Sequence, residues 1–193
     1  MAKIICFLSL FFLLHAEIIE IERMEQILPY VDETTWVLFD IDDMLIESEL
    51  QVERANRTPE PEIPSIVCQV QQSAGAVFGL SARHPPVCAT TLKQLAYIGI
   101  DFTFSAPFCH NLETQIPTHW EGGVLFISDF NRKGEVFRKW LEISPIRPSK
   151  IVLIDDGKNN LIMEKQMAEF GIPSTCFHYI KAAMRLFDPE IGE

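Results

Sequence analysis

Carboxylate, hydroxyl and ammonium side chains occur at four places along the chain, in a combination suited to phosphate chemistry. Asp40, Asp42 and Asp43 follow the apolar run "WVLF", and Ser81 follows "AVFGL". Lys133 lies in "NRKGEVFRKWL", and Asp155 and Asp156 follow "KIVLI". Carboxylates from two separate segments supply the hard oxygen ligands that Mg²⁺ takes, while a hydroxyl and an ammonium bind anionic oxygens. Each residue also has an ordinary alternative. Asp after a strand commonly caps a turn or helix, the preferred reading for Asp43. Ser81 alone reads as a helix cap and Lys133 alone as a solvated lysine. Arg83 and His84 read as substrate contacts or loop residues, and "DDGKNN" as a turn. The order of the four clusters, three of them directly after apolar runs, favours a phosphate site over these separate readings.

The elements that must position these residues alternate between strand and helix. Apolar residues at Ile18, Ile21, Met24, Ile27, Leu28 and Val31 predict a helix over Glu17 to Val31, and Thr35 to Ile41 predicts a strand. The Pro-rich stretch "RTPEPEIP" is a connection. A helix is expected over Ser65 to Ser73, a strand in "GAVFGL" ending at Ser81, and a helix in "TTLKQLAYIG" stopped by Gly99. A short extended piece, "IDFTF", follows, and Ser105 to Gly123 is expected to be irregular. "GGVLFIS" predicts a strand, "NRKGEVFRKWL" a helix start and "KIVLID" a strand. "NLIMEKQMAEFG" predicts a helix, and "STCFHYI" a last strand before a final helix. This alternation predicts a single α/β domain over residues 17–193, a Rossmann-like three-layer sandwich with a central parallel sheet covered on both faces. Ligands of such sheets bind outside the carboxyl ends of the strands, so the four clusters should converge on one cleft.

At 193 residues, 48% hydrophobic and 22% charged, the chain has the composition of a globular protein. A formal charge of −11 argues against nonspecific binding to nucleic acid or anionic membrane, which needs clustered Lys and Arg. A metal ion can still reverse the local field of an acidic site. Residues 1–16, "MAKIICFLSLFFLLHA", have Lys3, an apolar run from Ile4 to Leu14, and Ala16 before Glu17, the layout of a signal peptide. The run is too short to span a bilayer comfortably, for which about 20 residues are needed. A buried N-terminal helix is the alternative. Export to the periplasm or medium, with no stable membrane anchor after cleavage, is therefore expected. Four cysteines then remain, Cys68, Cys88, Cys109 and Cys176. Their number permits disulfides, their spacing fits no zinc motif, and buried thiols are preferred to two bridges.

The sequence D-x-D, then Ser after an apolar strand, then Lys, then D-D after another apolar strand is similar to the four motifs of the haloacid dehalogenase (HAD) superfamily, most of whose members are phosphohydrolases. The matched segments run from Val37 to Asn160. The export signal and "GLSAR" further resemble an uncharacterised exported branch of that superfamily found in intracellular bacterial pathogens. The resemblance implies a Mg²⁺-dependent phosphatase with Asp40 as the nucleophile that forms an aspartyl-phosphate. Asp42 would protonate the leaving alkoxide and then deprotonate the hydrolytic water. A free Asp has a pKa of about 3.9, so Asp42 would need a raised value to donate near neutrality. Ser81 would bind the transferring phosphoryl oxygen, and Lys133 would neutralise charge on Asp40 and the phosphoryl group. Arg83 is a candidate substrate contact. The metal would be held by Asp40, the backbone carbonyl of Asp42 and the Asp155-Asp156 pair. Asp156 is the favoured ligand of that pair, with Asp155 contacting Lys133 or a metal-bound water and Asn160 contributing from further out.

One position departs from the family pattern. Met44 stands where Thr or Val is usual, and it cannot make the hydroxyl hydrogen bond of a Thr. Two other classes compete. A receiver domain also combines acidic residues, Ser or Thr, and Lys, but its acidic pair leads the chain and its Lys comes near the end; here Lys133 precedes Asp155. A catalytically silent HAD-like binding or effector protein is the remaining alternative. The intervals Met44 to Ala76 and Ser105 to Gly123 leave room for a minimal cap or none. The expected substrate is a small phosphorylated molecule or a phosphoprotein reached through an open site.

Overall fold

The computed structural model describes residues 17–47, 57–107, 118–128, 133–157, 167 and 170–181. The expected signal segment, Cys109, Asn160, the final helix and most of "NLIMEKQMAEFG" lie outside the described residues. So do residues 48–56 and 108–117, parts of the intervals Met44 to Ala76 and Ser105 to Gly123 in which a minimal cap or none is expected.

The chain begins its described course with β1 (Glu17–Ile21), a 3-10 helix (Met24–Tyr30) and β2 (Thr35–Phe39). Then come α1 (Ile63–Ser73), β3 (Ala76–Ser81) and α2 (Cys88–Tyr97). The short strands β4 (His119–Glu121) and β5 (Val124–Phe126) precede α3 (Lys133–Ile143), β6 (Lys150–Asp155) and β7 (Ser174–Tyr179). The strands form one seven-stranded sheet in the order β1-β7-β6-β2-β3-β5-β4. Every pairing is parallel except that of β4 with β5.

The central strands are buried on both faces, and their side chains divide by the two-residue period of a strand. Val37 and Phe39 of β2 join Ile63, Ile66, Val67 and Val70 of α1 in one apolar cluster. Trp36 and Leu38 join Val136, Phe137, Trp140 and Leu141 of α3 in a second cluster on the opposite face. Both helices bury residues at i, i+3, i+4 and i+7 or i+1, i+4 and i+5 spacing, the stripe of an amphipathic helix. A one-residue slip of β2 would exchange its two apolar sets, so the sandwich fixes its register. That register sets the height at which Asp40 leaves the sheet.

Residues 17–31 do not form the expected helix. Glu17–Ile21 instead extends the sheet as an edge strand, aligned with β7 from Glu17↔Thr175 to Ile21↔Tyr179, and only a 3-10 helix follows. Pro29 disfavours an α-helix there, because it lacks an N–H and its ring clashes with the carbonyl four residues back. "IDFTF" is a turn, not an extended piece: the Thr103 N–H donates to Asp101 Oδ1 at 2.8 Å, and the Ala106 N–H donates to the Phe102 carbonyl at 2.9 Å. The expected irregular stretch contains β4, joined to β5 by Gly122 and Gly123. Both glycines have positive φ, 58° and 73°, as a tight two-residue hairpin turn demands. Glu60, in the Pro-rich connection, is buried and accepts the Met24 N–H and the Tyr179 hydroxyl, each at 2.9 Å. It ties that connection to the 3-10 helix and β7.

Candidate active site

The sheet reverses its winding at β2, with β3 on one side and β6 on the other, and the polar clusters gather at the carboxyl ends of these strands. Parallel pairing of Phe39 with Ile154 brings the following residues, Asp40 and Asp155, level with each other. The Asp40 N–H donates to the Ile154 carbonyl at 2.9 Å, which extends the ladder one step past β2. Lys133, the first residue of α3, inserts its ammonium between the two carboxylates, 2.7 Å from Asp40 Oδ2 and 2.8 Å from Asp155 Oδ2. All three side chains are buried. The other oxygens are also engaged, since Asp40 Oδ1 accepts the Ile41 N–H at 2.7 Å and Asp155 Oδ1 the Gly157 N–H at 2.8 Å.

Asp156 completes the group: carboxylate oxygens of Asp40, Asp155 and Asp156 lie within 4.8 Å of one another. Three carboxylates around one buried ammonium leave an excess of negative charge. Burial pushes the Asp40 carboxyl upward, with Asp155 adding to it and Lys133 opposing. Burial, then Asp155 and Asp43, push Asp156 up from an ordinary 3.8 to about 6. Burial pulls Lys133 down, but Asp40 and Asp155 outweigh it and the net shift is upward. This donor set, all hard oxygen, fits a cation of the Mg²⁺ type.

A stability measurement follows from those shifts. A carboxyl raised in the folded state holds a proton that the unfolded chain releases, so stability falls as pH rises through the interval between the two values. For Asp156 that interval runs from 3.8 to about 6. Without divalent cation, the urea midpoint of the wild type should fall from about pH 4 to about pH 6 more steeply than that of Asp156→Asn. Mg²⁺ should flatten the wild-type slope. Equal slopes in the two proteins would show that Asp156 is not so perturbed.

Asp42 faces a different partner. Arg83 Nε lies 3.1 and 3.0 Å from Asp42 Oδ1 and Oδ2, and Nη2 lies 2.6 Å from Oδ1. Arg83 Nη1 donates to Thr91 Oγ1 at 2.9 Å and Gln94 Oε1 at 2.7 Å, so α2 holds the guanidinium in place. Ser81 is buried at the end of β3, and its Oγ accepts the Arg83 N–H at 3.1 Å. Asp43 occupies the turn after β2 with φ 55°, and its N–H donates to the Ile46 carbonyl at 2.8 Å. Met44 is buried in the apolar cluster with Ile41, Leu45 and Ile46. Thus Asp40, Asp155, Asp156 and Lys133 meet directly, while the Asp42 side chain is held by Arg83, itself bonded to Ser81 through its backbone.

Beside Arg83 opens a cavity of about 480 Å³, lined in part by Ala82, His84, Thr90 and Ser128. Sequence reasoning missed Ser128, which follows β5 with φ 57° and a buried Oγ that has no hydrogen-bond partner among the described residues. Its signal was its place in "LFIS", a polar residue directly after an apolar strand. His178 was also missed; its Nε2 lies 3.1 Å from the Asp156 backbone oxygen. Of the cysteines, Cys68, Cys88 and Cys176 stand as thiols, but only Cys176 is buried, because Cys68 lies on the solvent side of α1 and Cys88 at the start of α2.

Fold and site together define a mixed α/β protein whose mostly parallel sheet carries an acidic cluster at the ends of its central strands. The chain belongs to the family described as "Protein of unknown function (DUF2608)", which matches residues 50–193. Ser81, Lys133, Asp155 and Asp156 fall within the matched segment, and Asp40 and Asp42 precede it. The chain is similar to a protein of Chlamydia trachomatis serovar D named "Putative outer membrane protein", 29% identical over 197 residues, covering 78% of this chain and 72% of that one. A Chlamydia pneumoniae protein with the same descriptive name is 23% identical over 186 residues, covering 77% of this chain and 70% of its own. No solved structure matches.

Proposed function

We propose that the chain is an exported, Mg²⁺-dependent phosphohydrolase of the HAD type that works through an aspartyl-phosphate on Asp40. One observation carries this reading: Lys133 bridges Asp40 and Asp155 at 2.7 and 2.8 Å in a buried cluster that Asp156 completes. A structural ion pair needs one carboxylate per ammonium, whereas this one has an acidic surplus suited to a cation. Asp40 and Asp156 would hold Mg²⁺, with the Asp42 backbone carbonyl as a further ligand and Asp155, already engaged by Lys133 and the Gly157 N–H, beside them, and the bound cation would offset negative charge as phosphate approaches.

Asp40 would attack phosphorus with a carboxylate oxygen as the bond to the leaving oxygen breaks, and Asp42 would give that oxygen a proton. Water would then attack the aspartyl-phosphate, lose a proton to Asp42, and release inorganic phosphate and Asp40. Lys133 would hold Asp40 aligned and balance its charge. Ser81 would bind a phosphoryl oxygen from the β3 side. Arg83 must first release Asp42, since its guanidinium covers both carboxylate oxygens. A substrate seated in the neighbouring cavity would have the Arg83 edge within reach. A small phosphorylated molecule or a phosphoprotein fits this reading, and nucleic acid does not, given the net charge of −11.

A phosphatase screen across phosphosugars, nucleotides, phosphopeptides and phospholipid headgroups, using the chain without residues 1–16, tests the activity. Hydrolysis of at least one class should vanish with chelator and return with Mg²⁺. Undiminished turnover in excess chelator would remove the metal from the mechanism. The Asp42–Arg83 pair favours one other reading, a catalytically silent HAD-like binding or effector protein. Absence of turnover on every class with Mg²⁺ present would select it.

Export rests on the signal-like layout of residues 1–16 and agrees with the names of the chlamydial relatives. Among the described residues no helix is long and apolar enough to cross a membrane. Intact mass of the secreted or periplasmic product should place cleavage near Ala16; a cytoplasmic product beginning at Met1 or Ala2 would contradict export.

A further inference from the structure

A second group of ligand-type side chains lies between the start of α2 and the edge strand β4, and shares no residue with the acidic cleft. Cys88 Sγ is 2.8 Å from Glu121 Oε2, and His119 Nε2 is 3.1 Å from the same oxygen. The three ligand atoms all lie within 4.8 Å of one another. We propose that Cys88, His119 and Glu121 form an open-sided site for a transition-metal cation of the zinc type, held by three protein ligands with a further position facing solvent.

Ligand chemistry separates this site from the cleft. Thiolate, imidazole and carboxylate are a zinc-type donor set, whereas Mg²⁺ takes oxygen alone. Zinc bonds of about 2.0–2.3 Å in tetrahedral geometry put neighbouring ligand atoms about 3.2–3.7 Å apart. The imidazole-to-carboxylate distance is already close to that range. The thiol-to-carboxylate distance needs to open by several tenths of an ångström as the cation replaces the thiol proton, which passes to the buffer.

The backbone holds these ligands on two rigid elements. In β4 the middle residue, Trp120, turns inward and stacks on Trp140 at 5.8 Å with an interplanar angle of 3°, also meeting Phe78 at 5.6 Å. Strand alternation therefore puts His119 and Glu121 together on the other face. The Gly122-Gly123 turn packs against α2, where a Cβ at Gly122 would come within 2.6 Å of Leu92 Cδ2. This close approach fixes the hairpin against the helix that carries Cys88. The open side is wet, with the side chains of His119 and Glu121 34% and 47% exposed, so a hydrated ion can enter.

A hydrogen-bonded thiol is the competing explanation, and Co²⁺ distinguishes the two. The full chain, reduced and saturated with Mg²⁺ to fill the acidic cleft, is titrated with Co²⁺. A near-ultraviolet thiolate-to-cobalt charge-transfer band should appear, saturate at one equivalent and be erased by Zn²⁺. Zinc binding should release a single proton from Cys88. Cys88→Ser should abolish the band, and His119→Ala should weaken binding about 100-fold or more, at or beyond the upper end of what loss of an outer-shell partner costs. No band in the wild type, a band of unchanged amplitude in Cys88→Ser, or unchanged affinity in His119→Ala would each overturn the site. His119 is solvent-facing, so its variant serves should Cys88→Ser fold poorly. Neither outcome depends on phosphatase activity.

Discussion

With an aryl phosphate and Mg²⁺, the Asp40→Asn protein should form no phosphoenzyme, while Asp42→Asn should still form it. The amide of Asn is a poor nucleophile and removes one charge from the metal-binding group, so the first bond to phosphorus cannot form. The fold should survive this change. Lys133 keeps its 2.8 Å contact with Asp155, the cluster loses one of its three negative charges, and the introduced amide oxygen can still accept the Ile41 N–H. Asp42→Asn keeps the nucleophile; it weakens the pairing with Arg83 and loses proton transfer, a contribution typically worth about 10²- to 10⁴-fold and least needed when the leaving group is already a stable anion. It should therefore label from an aryl or acyl phosphate and fail on an alkyl phosphate. Rapid quench followed by hydroxylamine release measures the acyl-phosphate directly. Wild-type labelling of Asp40→Asn would sink the nucleophile assignment.

Lys133→Met should cost about 3–5 kcal/mol of stability in the absence of metal, because it leaves Asp40 and Asp155 facing each other, buried and without a counter-charge. Hydrolysis should be lost as well, since Asp40 is no longer aligned. Mg²⁺ should recover part of the stability by replacing some of the missing positive charge, and acidification should do the same by protonating one of the two carboxylates. Urea unfolding at neutral pH, with and without Mg²⁺ and again in mild acid, reads all three effects. A loss below about 1 kcal/mol, the range of exposed ion pairs, would mean that the ammonium is not the counter-charge of this cluster.

How far the site could be read from the chain depends on whether its signals were local. Asp40, Ser81, Asp155 and Asp156 were visible because each follows a run of apolar residues, and buried parallel strands have few other sequences. β6 has the expected bounds, Lys150 to Asp155, and β3 ends at the expected Ser81. Lys133 was visible at a helix start, but its burial was not, because a lysine is almost never fully buried unless paired, and its partners here, Asp40 and Asp155, come from two other elements. Residues 17–31 differ from expectation for a related reason. "EIIEI" fits both a helical and a strand stripe over so short a span, and an open edge on β7 decided between them.

The residue order by itself determined the alternation of strand and helix, the two apolar sets of β2 and the placing of carboxylates at strand ends, because hydrophobic period and chain direction are local properties. Tertiary structure alone decided which charges meet. Parallel register put Asp40 beside Asp155, α2 presented Thr91 and Gln94 to Arg83 and so turned it onto Asp42, and the hairpin at Gly122-Gly123 brought His119 and Glu121 to Cys88. Arg83 lies 41 positions from Asp42 and Cys88 lies 33 from Glu121, and Asp40 and Asp155 are farther apart still. The distances between such partners are set by packing of the layers that separate them along the chain, which no local pattern encodes.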